Sequence, residues 1–188
     1  LWLMLYQIIS LLLEVAVGLV ASTCLLRLYM QLQRINLSLR MGNPLAPFIF
    51  SLTNWLILPL RRVLPAIGRL DTACLVGAYA VVLAKVVLLW LWAGTSAHVS
   101  MLLVLAFVEL LHLALSGLSW LIIGYALLSW FRGAADIGYF LSQLIEPLLH
   151  PLRRLVPMVG GIDLSPLALL LLIKIAEIVL GHAVTWLY

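Results

Sequence analysis

The chain has 188 residues, of which 65% are hydrophobic and only 10% are charged. A soluble domain carries roughly 25% charged residues, and a chain of this size cannot hide so much apolar surface in one core. The composition therefore excludes an ordinary soluble domain. The formal net charge of +4 comes from basic residues between apolar runs, which favours membrane topology over nucleic-acid binding.

Four apolar runs are each long enough to cross a bilayer as a helix, which takes about 20 residues. They are Leu1–Leu32, Thr72–Ala93, Met101–Phe131 and Ser165–Tyr188. The first run has no basic region ahead of it and exceeds the apolar part of a typical signal peptide, so we expect a span there rather than a cleaved leader. The sequence thus predicts an all-α membrane protein with four transmembrane helices.

Two shorter apolar stretches, Pro44–Leu58 and Asp136–His150, have a length that favours helices lying along the membrane interface. The second stretch is predicted to be amphipathic, because its apolar residues recur at three- and four-residue spacing. These residues are Phe140, Leu141, Leu144, Ile145 and Leu148. The first stretch is apolar nearly all round, so it either lies flat or re-enters the membrane.

The segment from Pro59 to Asp71 matches the segment from Pro151 to Asp163 at a constant offset of 92 residues (151 − 59). Both read Pro-Leu-Arg-Arg, followed by a second Pro, a Gly and an Asp at the same spacing. Such self-similarity indicates internal duplication. It predicts two tandem repeats, residues 1–94 and 95–188, each with two spans and an interfacial helix between them. Because each repeat has an even number of spans, the repeats should be parallel.

The loops that contain these segments hold eight of the eleven basic residues. The eight are Arg34, Arg40, Arg61, Arg62, Arg69, Arg132, Arg153 and Arg154. The positive-inside rule predicts that both loops are cytoplasmic and that both termini lie outside, in the periplasm of a bacterium.

The repeated segment has two interpretations. In the first it is a topology anchor, in which arginines sit at headgroup level, each proline starts or ends a helical piece, and each aspartate caps the next helix. In the second it binds an anionic headgroup, an anion or a partner. The residues of this candidate lipid- or partner-binding site are Arg61, Arg62, Arg153, Arg154, Asp71 and Asp163.

Ionisable residues also lie inside the predicted spans, where they are costly and merit a functional hypothesis. This intramembrane charge cluster consists of Glu14, Lys85, Glu109, His112, Lys174 and Glu177. Lys85 and Glu177 occupy equivalent repeat positions (177 − 85 = 92), so we hypothesise an ion pair between them. The cluster either holds the helices together, forms a proton or cation path, or faces a partner. Arg27 is expected to snorkel to the headgroups.

The doubled signature P-L-R-R-x-x-P-x-x-G-x-x-D resembles that of the YggT family, called YlmG in other bacteria and in plastids. The second copy, with Glu146-Pro147 before it and Gly160-Gly161-Ile162-Asp163 within it, is much like the family pattern. The first copy departs from it, with Asn54-Trp55 and Arg69 at the corresponding positions. The resemblance covers nearly the whole chain. It implies an inner-membrane protein without an assigned activity, with links to osmotic tolerance, ion homeostasis, division and membrane-complex maturation.

Two functions follow as hypotheses. In the first, the chain is a non-enzymatic accessory or scaffold protein that docks lipid or a membrane complex through its Pro-Leu-Arg-Arg loops, with a link to osmotic stress or complex assembly. The alternative is a small K⁺ or H⁺ conduit, or a subunit of one, built on the intramembrane charges. We expect a homo-oligomer or a subunit of a larger assembly. No catalytic, metal-ligand or nucleotide pattern appears, so no enzyme activity and no cofactor are expected.

Overall fold

The computed structural model of the protein describes residues 2–35, 45–64, 71–94, 98–128, 135–156 and 163–185. These residues form six α-helices. The helices are α1 (Trp2–Leu32), α2 (Ala46–Val63), α3 (Thr72–Ala93), α4 (Val99–Leu128), α5 (Ala135–Arg153) and α6 (Ser165–Thr185).

Four of these helices, α1, α3, α4 and α6, are long and apolar enough to cross a membrane, as predicted. Even α6, with 21 residues, extends about 30 Å at 1.5 Å per residue, which matches a bilayer core. The main difference in position is that α4 begins at Val99 rather than at Met101. The predicted span ends at Leu1, Phe131 and Tyr188 lie outside the described residues.

The two shorter helices are amphipathic and bury one face each. In α2 the buried residues are Ala46, Ile49, Thr53 and Ile57, at helical spacing. In α5 all five residues of the predicted apolar stripe are buried or half-buried, and Leu149 extends it. The predicted amphipathic pattern is therefore confirmed. α2 differs in exposing further large apolar side chains, namely Phe48, Trp55 and Leu58.

Both amphipathic helices continue through proline. The expectation that each proline of the repeated segment starts or ends a helical piece is wrong for Pro59 in α2 and for Pro151 in α5, and α5 also contains Pro147. All three prolines are exposed. The carbonyl that each leaves without an N–H donor therefore lies on an outward face, where the helix can tolerate the loss. Pro65 and Pro157 lie outside the described residues.

Contacts between the described residues divide the chain into two compact units. The first contains α1, α2, α3 and α4 up to Ala114, and the second contains α4 from Leu115 with α5 and α6. This division falls within α4, whereas the predicted repeats meet at residues 94 and 95, so the repeat boundary stays a prediction. The order of elements, a span, an amphipathic helix and a second span, nevertheless occurs twice along the chain.

Small side chains fill the core of the first unit. Ala21 and Cys24 of α1 and Ala73, Cys74 and Ala78 of α3 are all fully buried in one cluster. Small residues let transmembrane helices approach closely, which explains why α1 packs along α3. α2 also packs against both helices. These contacts hold together the ends of three helices where the first group of candidate residues lies.

The second unit places α5 against α6. The fully buried side chains of α5 are Leu144, Ile145 and Leu149, while Leu169 and Ile173 of α6 are nearly so. The apolar stripe of α5 is thus covered by protein, which fixes the C-terminal end of α5 close to the start of α6.

Candidate functional site

Two equivalent groups of residues join an amphipathic helix to the span that follows it. We name them the first junction (Arg61, Arg62 and Asp71) and the second junction (Arg153, Arg154 and Asp163). In each, the first arginine of the pair forms an ion pair with the aspartate ten residues later. The structure therefore brings together the arginine and aspartate that the repeated segment indicated, and it does so twice.

The first junction connects three helices through one carboxylate. Arg61, near the end of α2, donates its Nε–H to Asp71 Oδ2 at 3.1 Å, and its Nη2 contacts the same oxygen. Gln31, near the end of α1, donates its Nε2–H to that oxygen at 3.2 Å. Asp71 directly precedes α3 and is only 6% exposed. Its side chain makes no capping hydrogen bond to the backbone of α3, so the predicted capping role is wrong, because side chains of α1, α2 and Cys74 bind the carboxylate instead.

The second junction is more exposed and more acidic. Arg153 donates its Nε–H to Asp163 Oδ2 at 2.8 Å and its Nη1–H to Glu146 Oε1 at 2.6 Å. The exposed fractions of the Asp163 and Glu146 side chains are 29% and 47%. Asp163 Oδ1 also accepts the N–H of Ser165, the first residue of α6, at 2.9 Å. Here the predicted capping role of the aspartate is confirmed.

Both junction aspartates have a pKa below the ordinary value of 3.8. Burial by itself would raise the pKa of Asp71, but hydrogen bonds from Arg61 and from two further neighbours lower it by more. Burial also acts to raise the pKa of Asp163, and hydrogen bonds from Ser165 and Arg153 outweigh it. Both carboxylates are therefore ionised at neutral pH, and both contacts are true ion pairs.

The second arginine of each junction points outwards. Arg62 and Arg154 are exposed, and the aliphatic residues that follow them, Val63 and Leu155, are 79% and 82% exposed. A guanidinium beside an uncovered aliphatic side chain suits the boundary between lipid headgroups and acyl chains. The cation can bind phosphate oxygens there, while the aliphatic group leaves water.

The intramembrane charges of the first unit are clustered around Lys85. This lysine of α3 forms an ion pair with Glu109 of α4, and its side chain is only 8% exposed. Glu14 of α1 is exposed, but it is near enough to Lys85 to interact electrostatically. His112, three residues after Glu109, is exposed. One buried ammonium group therefore lies among two carboxylates.

The second unit contains a separate intramembrane pair. Lys174 Nζ lies 2.6 Å from Glu177 Oε2 within α6, and Ser116 Oγ of α4 donates to Glu177 Oε1 at 3.2 Å. The lysine side chain is 59% exposed and the glutamate side chain 10% exposed. Lys85 and Glu177 thus each have a partner within their own unit. The hypothesised pairing of these two residues with each other stays a prediction.

Arg27 is the functional candidate that sequence reasoning misplaced. It was expected to extend to the headgroups, but it is 3% exposed and turned towards α2. Its Nη1 donates to Thr53 Oγ1 at 2.8 Å and to Asn54 Oδ1 at 2.9 Å. The available signal was its spacing from Gln31, four residues later, which places both polar side chains on one face of α1. Among the described residues, no group of His, Cys, Asp and Glu could hold a metal ion.

Comparison with known sequences matches the chain in two segments, one for each predicted repeat. The sequence model of the CCB3/YggT family matches residues 4–92, which contain α1 to α3, and residues 104–184, which contain α4 to α6. The chain belongs to the CCB3/YggT family. The gap between the matched segments includes the turn between α3 and α4, as expected for two repeats.

Relatives in the CCB3/YggT family cover most of the chain. An Escherichia coli K12 protein named "uncharacterized protein YggT" is 37% identical over 178 residues, which are 89% of this chain and 86% of the relative. An uncharacterised Vibrio alginolyticus protein is 34% identical over 163 residues, 85% of this chain and 86% of the relative. No solved structure matches the chain. The protein is thus a multi-pass membrane protein with bacterial homologues, whose names assign no activity.

Proposed function

We propose that this chain is a non-enzymatic accessory or scaffold protein of the bacterial inner membrane, which associates with anionic lipid or a larger membrane complex through its two junctions. The observation that carries the proposal is the recurrence of one arrangement. In both repeats one arginine is held by an aspartate, while the next arginine is exposed beside an exposed aliphatic residue. The first arginine stabilises the junction, and the second is available to bind.

The proposal includes an orientation. The basic residues of both junctions favour a cytoplasmic position, which puts both termini in the periplasm. Anionic lipids of the cytoplasmic leaflet attract each nearby Arg by about 1 kcal/mol. An alkaline phosphatase fusion at the C-terminus should therefore be active, and a fluorescent protein that folds only in the cytoplasm should stay dark there. The reverse pattern would show that the junctions face the periplasm.

The main experiment compares what co-purifies with the wild type and with two variants after gentle native extraction. A tagged chromosomal copy and quantitative mass spectrometry identify a stoichiometric membrane partner. We expect Arg62→Gln combined with Arg154→Gln to lose most of that partner. Arg34→Gln is the control, because Arg34 is exposed and basic but lies outside both junctions. Retention of the partner by the junction variant would exclude the junctions as the docking site.

The same variants test the link to osmotic stress and complex assembly. We expect a strain without the chain to grow more slowly at high osmolarity, or to assemble less of the partner complex. The wild type and Arg34→Gln should restore either property, and the junction variant should not. Full complementation by the junction variant would separate the physiological role from the junctions.

The alternative function, a small K⁺ or H⁺ conduit, is supported by one observation. Glu14 is exposed in the middle of α1, where a charge in contact with lipid alone would be costly. Against it, Lys85, Glu109, Lys174 and Glu177 all have ionic partners, as expected of charges that hold helices together. Ion flux into liposomes decides between the two. A conduit requires flux that Glu109→Gln or Glu177→Gln abolishes, whereas an accessory protein gives none above protein-free vesicles.

A further inference from the structure

Arg27 is a buried cation whose direct hydrogen-bond partners are neutral. The acceptors of its Nη1, the Thr53 hydroxyl and the Asn54 amide oxygen, are both on α2. Its guanidinium carbon lies 4.9 Å from the centre of the Phe50 ring, also on α2. A hydroxyl, an amide and an aromatic ring can orient a guanidinium group. None of them carries the negative charge that a buried cation requires.

One donor of Arg27 lacks even a neutral acceptor. Its Nε is buried, and it has no hydrogen-bond partner among the residues that the structure describes. Within the same residues, no ion pair joins Arg27 to a carboxylate. Asp71 is close enough to act on Arg27 electrostatically, but its Oδ2 already binds Arg61 and Gln31. The guanidinium is therefore held in place, while no described residue accepts a hydrogen bond from its Nε–H.

The second repeat contains the acid that the first repeat lacks. Position 54 corresponds to position 146 (54 + 92), and there Glu146 accepts a hydrogen bond from Arg153 at 2.6 Å. Two carboxylates, those of Glu146 and Asp163, thus bind one guanidinium. The described ionic groups of this site carry one net negative charge.

The ionic groups of the first repeat have the opposite net charge. With Asn54 in place of the glutamate, the two guanidinium groups of Arg27 and Arg61 have one carboxylate, that of Asp71. The site carries one net positive charge. One singly charged anion at the Nε–H of Arg27 would neutralise this charge.

The position of Arg27 along α1 indicates which anion is available. Arg27 precedes Gln31 by four residues, or about 6 Å along the helix axis. Gln31 in turn binds Asp71 of the first junction. Arg27 therefore lies near the level of the basic junction, which is where lipid phosphates meet the protein. Arg is well suited to phosphate because its planar group presents several N–H donors.

We propose that Arg27 binds a phosphate oxygen, with its Nε–H as donor, in a site between α1 and α2. Gln31, one turn further along the same face, has a buried amide oxygen without a partner in the described residues. It is the side chain that turns aside to admit the phosphate. The site borders Arg61 and Asp71 of the first junction but does not use the exposed Arg62 or Arg154, so the inference holds whether or not the chain is an accessory protein.

The test uses the full chain, purified in mild detergent and stripped of lipid. Its thermal unfolding is followed while phosphatidylglycerol or inorganic phosphate is added, with diacylglycerol as the matched lipid without phosphate. A ligand that binds the folded state raises the unfolding midpoint in proportion to its occupancy. The decisive variant is Asn54→Glu, which gives Arg27 the carboxylate that the second repeat has at this position.

We expect phosphatidylglycerol, but not diacylglycerol, to stabilise the wild type. In Asn54→Glu the apparent affinity for phosphatidylglycerol should fall at least about tenfold, as expected for the loss of one charge-assisted hydrogen bond. The lipid-free variant should itself be more stable than the wild type. If inorganic phosphate shows the same difference between the two proteins, the site also takes phosphate from water. If phosphatidylglycerol alone shows it, the phosphate is that of a lipid.

Arg34→Gln is the control for the loss of an exposed arginine outside both junctions, and it should respond as the wild type does. An equal response of the wild type and Asn54→Glu to both probes would overturn the proposal, as would a loss in Arg34→Gln as large as that in Asn54→Glu. A water molecule that satisfies Arg27 would give the first of these results. Arg27→Met should also lose the response, but the test does not depend on whether that variant folds.

Discussion

The two junctions have the same signature residues and the same ion pair, but different surroundings. In the first, the aspartate is 6% exposed and binds groups from α1 and α2. In the second, the aspartate is 29% exposed, caps α6 and shares its arginine with Glu146. The two pairs therefore differ in the residues outside the signature that bind them, namely Gln31 at the first aspartate and Glu146 at the second arginine.

The two junctions should differ most in the free energy of unfolding that is lost when the aspartate of each is neutralised. Asp71→Asn leaves Arg61 beside a second, buried arginine, so we expect a loss of about 3 kcal/mol in the free energy of unfolding. Asp163→Asn leaves Arg153 with Glu146 and solvent, so we expect a loss of about 1 kcal/mol or less. Unfolding in mixed micelles measures both. Equal losses would mean that the difference in burial has no energetic consequence.

The two intramembrane lysines should differ less in the free energy of unfolding that is lost when each is replaced. Lys85→Met removes the cation that lies among Glu14 and Glu109, and we expect a loss of about 2 kcal/mol. Lys174→Met removes a mostly exposed partner, and the loss should stay below about 1 kcal/mol. Charge reversal identifies the partner of Lys85. Lys85→Glu should be rescued by Glu109→Lys, and rescue by Glu177→Lys instead would support the pairing hypothesised from the repeat.

The smallest effect is the pH dependence of the second junction. Because the pKa of Asp163 is lower in the folded state than its ordinary 3.8, the ion pair contributes fully above that value. The contribution is lost as the pH falls through the lower folded pKa. The stability gap between wild type and Asp163→Asn, about 1 kcal/mol or less at pH 7, should therefore be constant down to about pH 5 and close in stronger acid. A gap that widens in acid would mean that the pKa is raised instead.

The spans, the amphipathic helices and the arginine–aspartate groups could be predicted because each depends on local spacing. A run of about 20 apolar residues reads as a span in any context. The two arginine–aspartate groups can likewise be predicted without knowledge of packing, because Arg61 and Arg153 are recognised by the constant offset between the repeated segments. Polarity within α5 was enough to identify its buried stripe, since helical periodicity alone selects Leu144 and Ile145.

What could not be predicted depends on contacts between helices. Asp71 precedes a helix and reads as a cap, but the structure uses its carboxylate for α1 and α2. Arg27 lies near a helix end and reads as a snorkelling side chain, but Thr53 and Asn54 draw it inwards. The sequence predicts that a helix ends at Pro59, but α2 continues past it. The proline is tolerated because it lies on the outward side of α2, and that position depends on tertiary packing. In each case the partner or the free face is set by packing.

The exposed prolines of the amphipathic helices also set a depth limit. Pro59 cannot donate to the carbonyl of Trp55, and Pro151 cannot donate to that of Pro147. In hydrocarbon an unbonded carbonyl costs several kcal/mol, whereas headgroup water bonds it readily. The arginine ends of α2 and α5 therefore cannot sink beyond the reach of water. In each unit, considered by itself, the proline therefore limits how deeply the amphipathic helix can lie in the membrane.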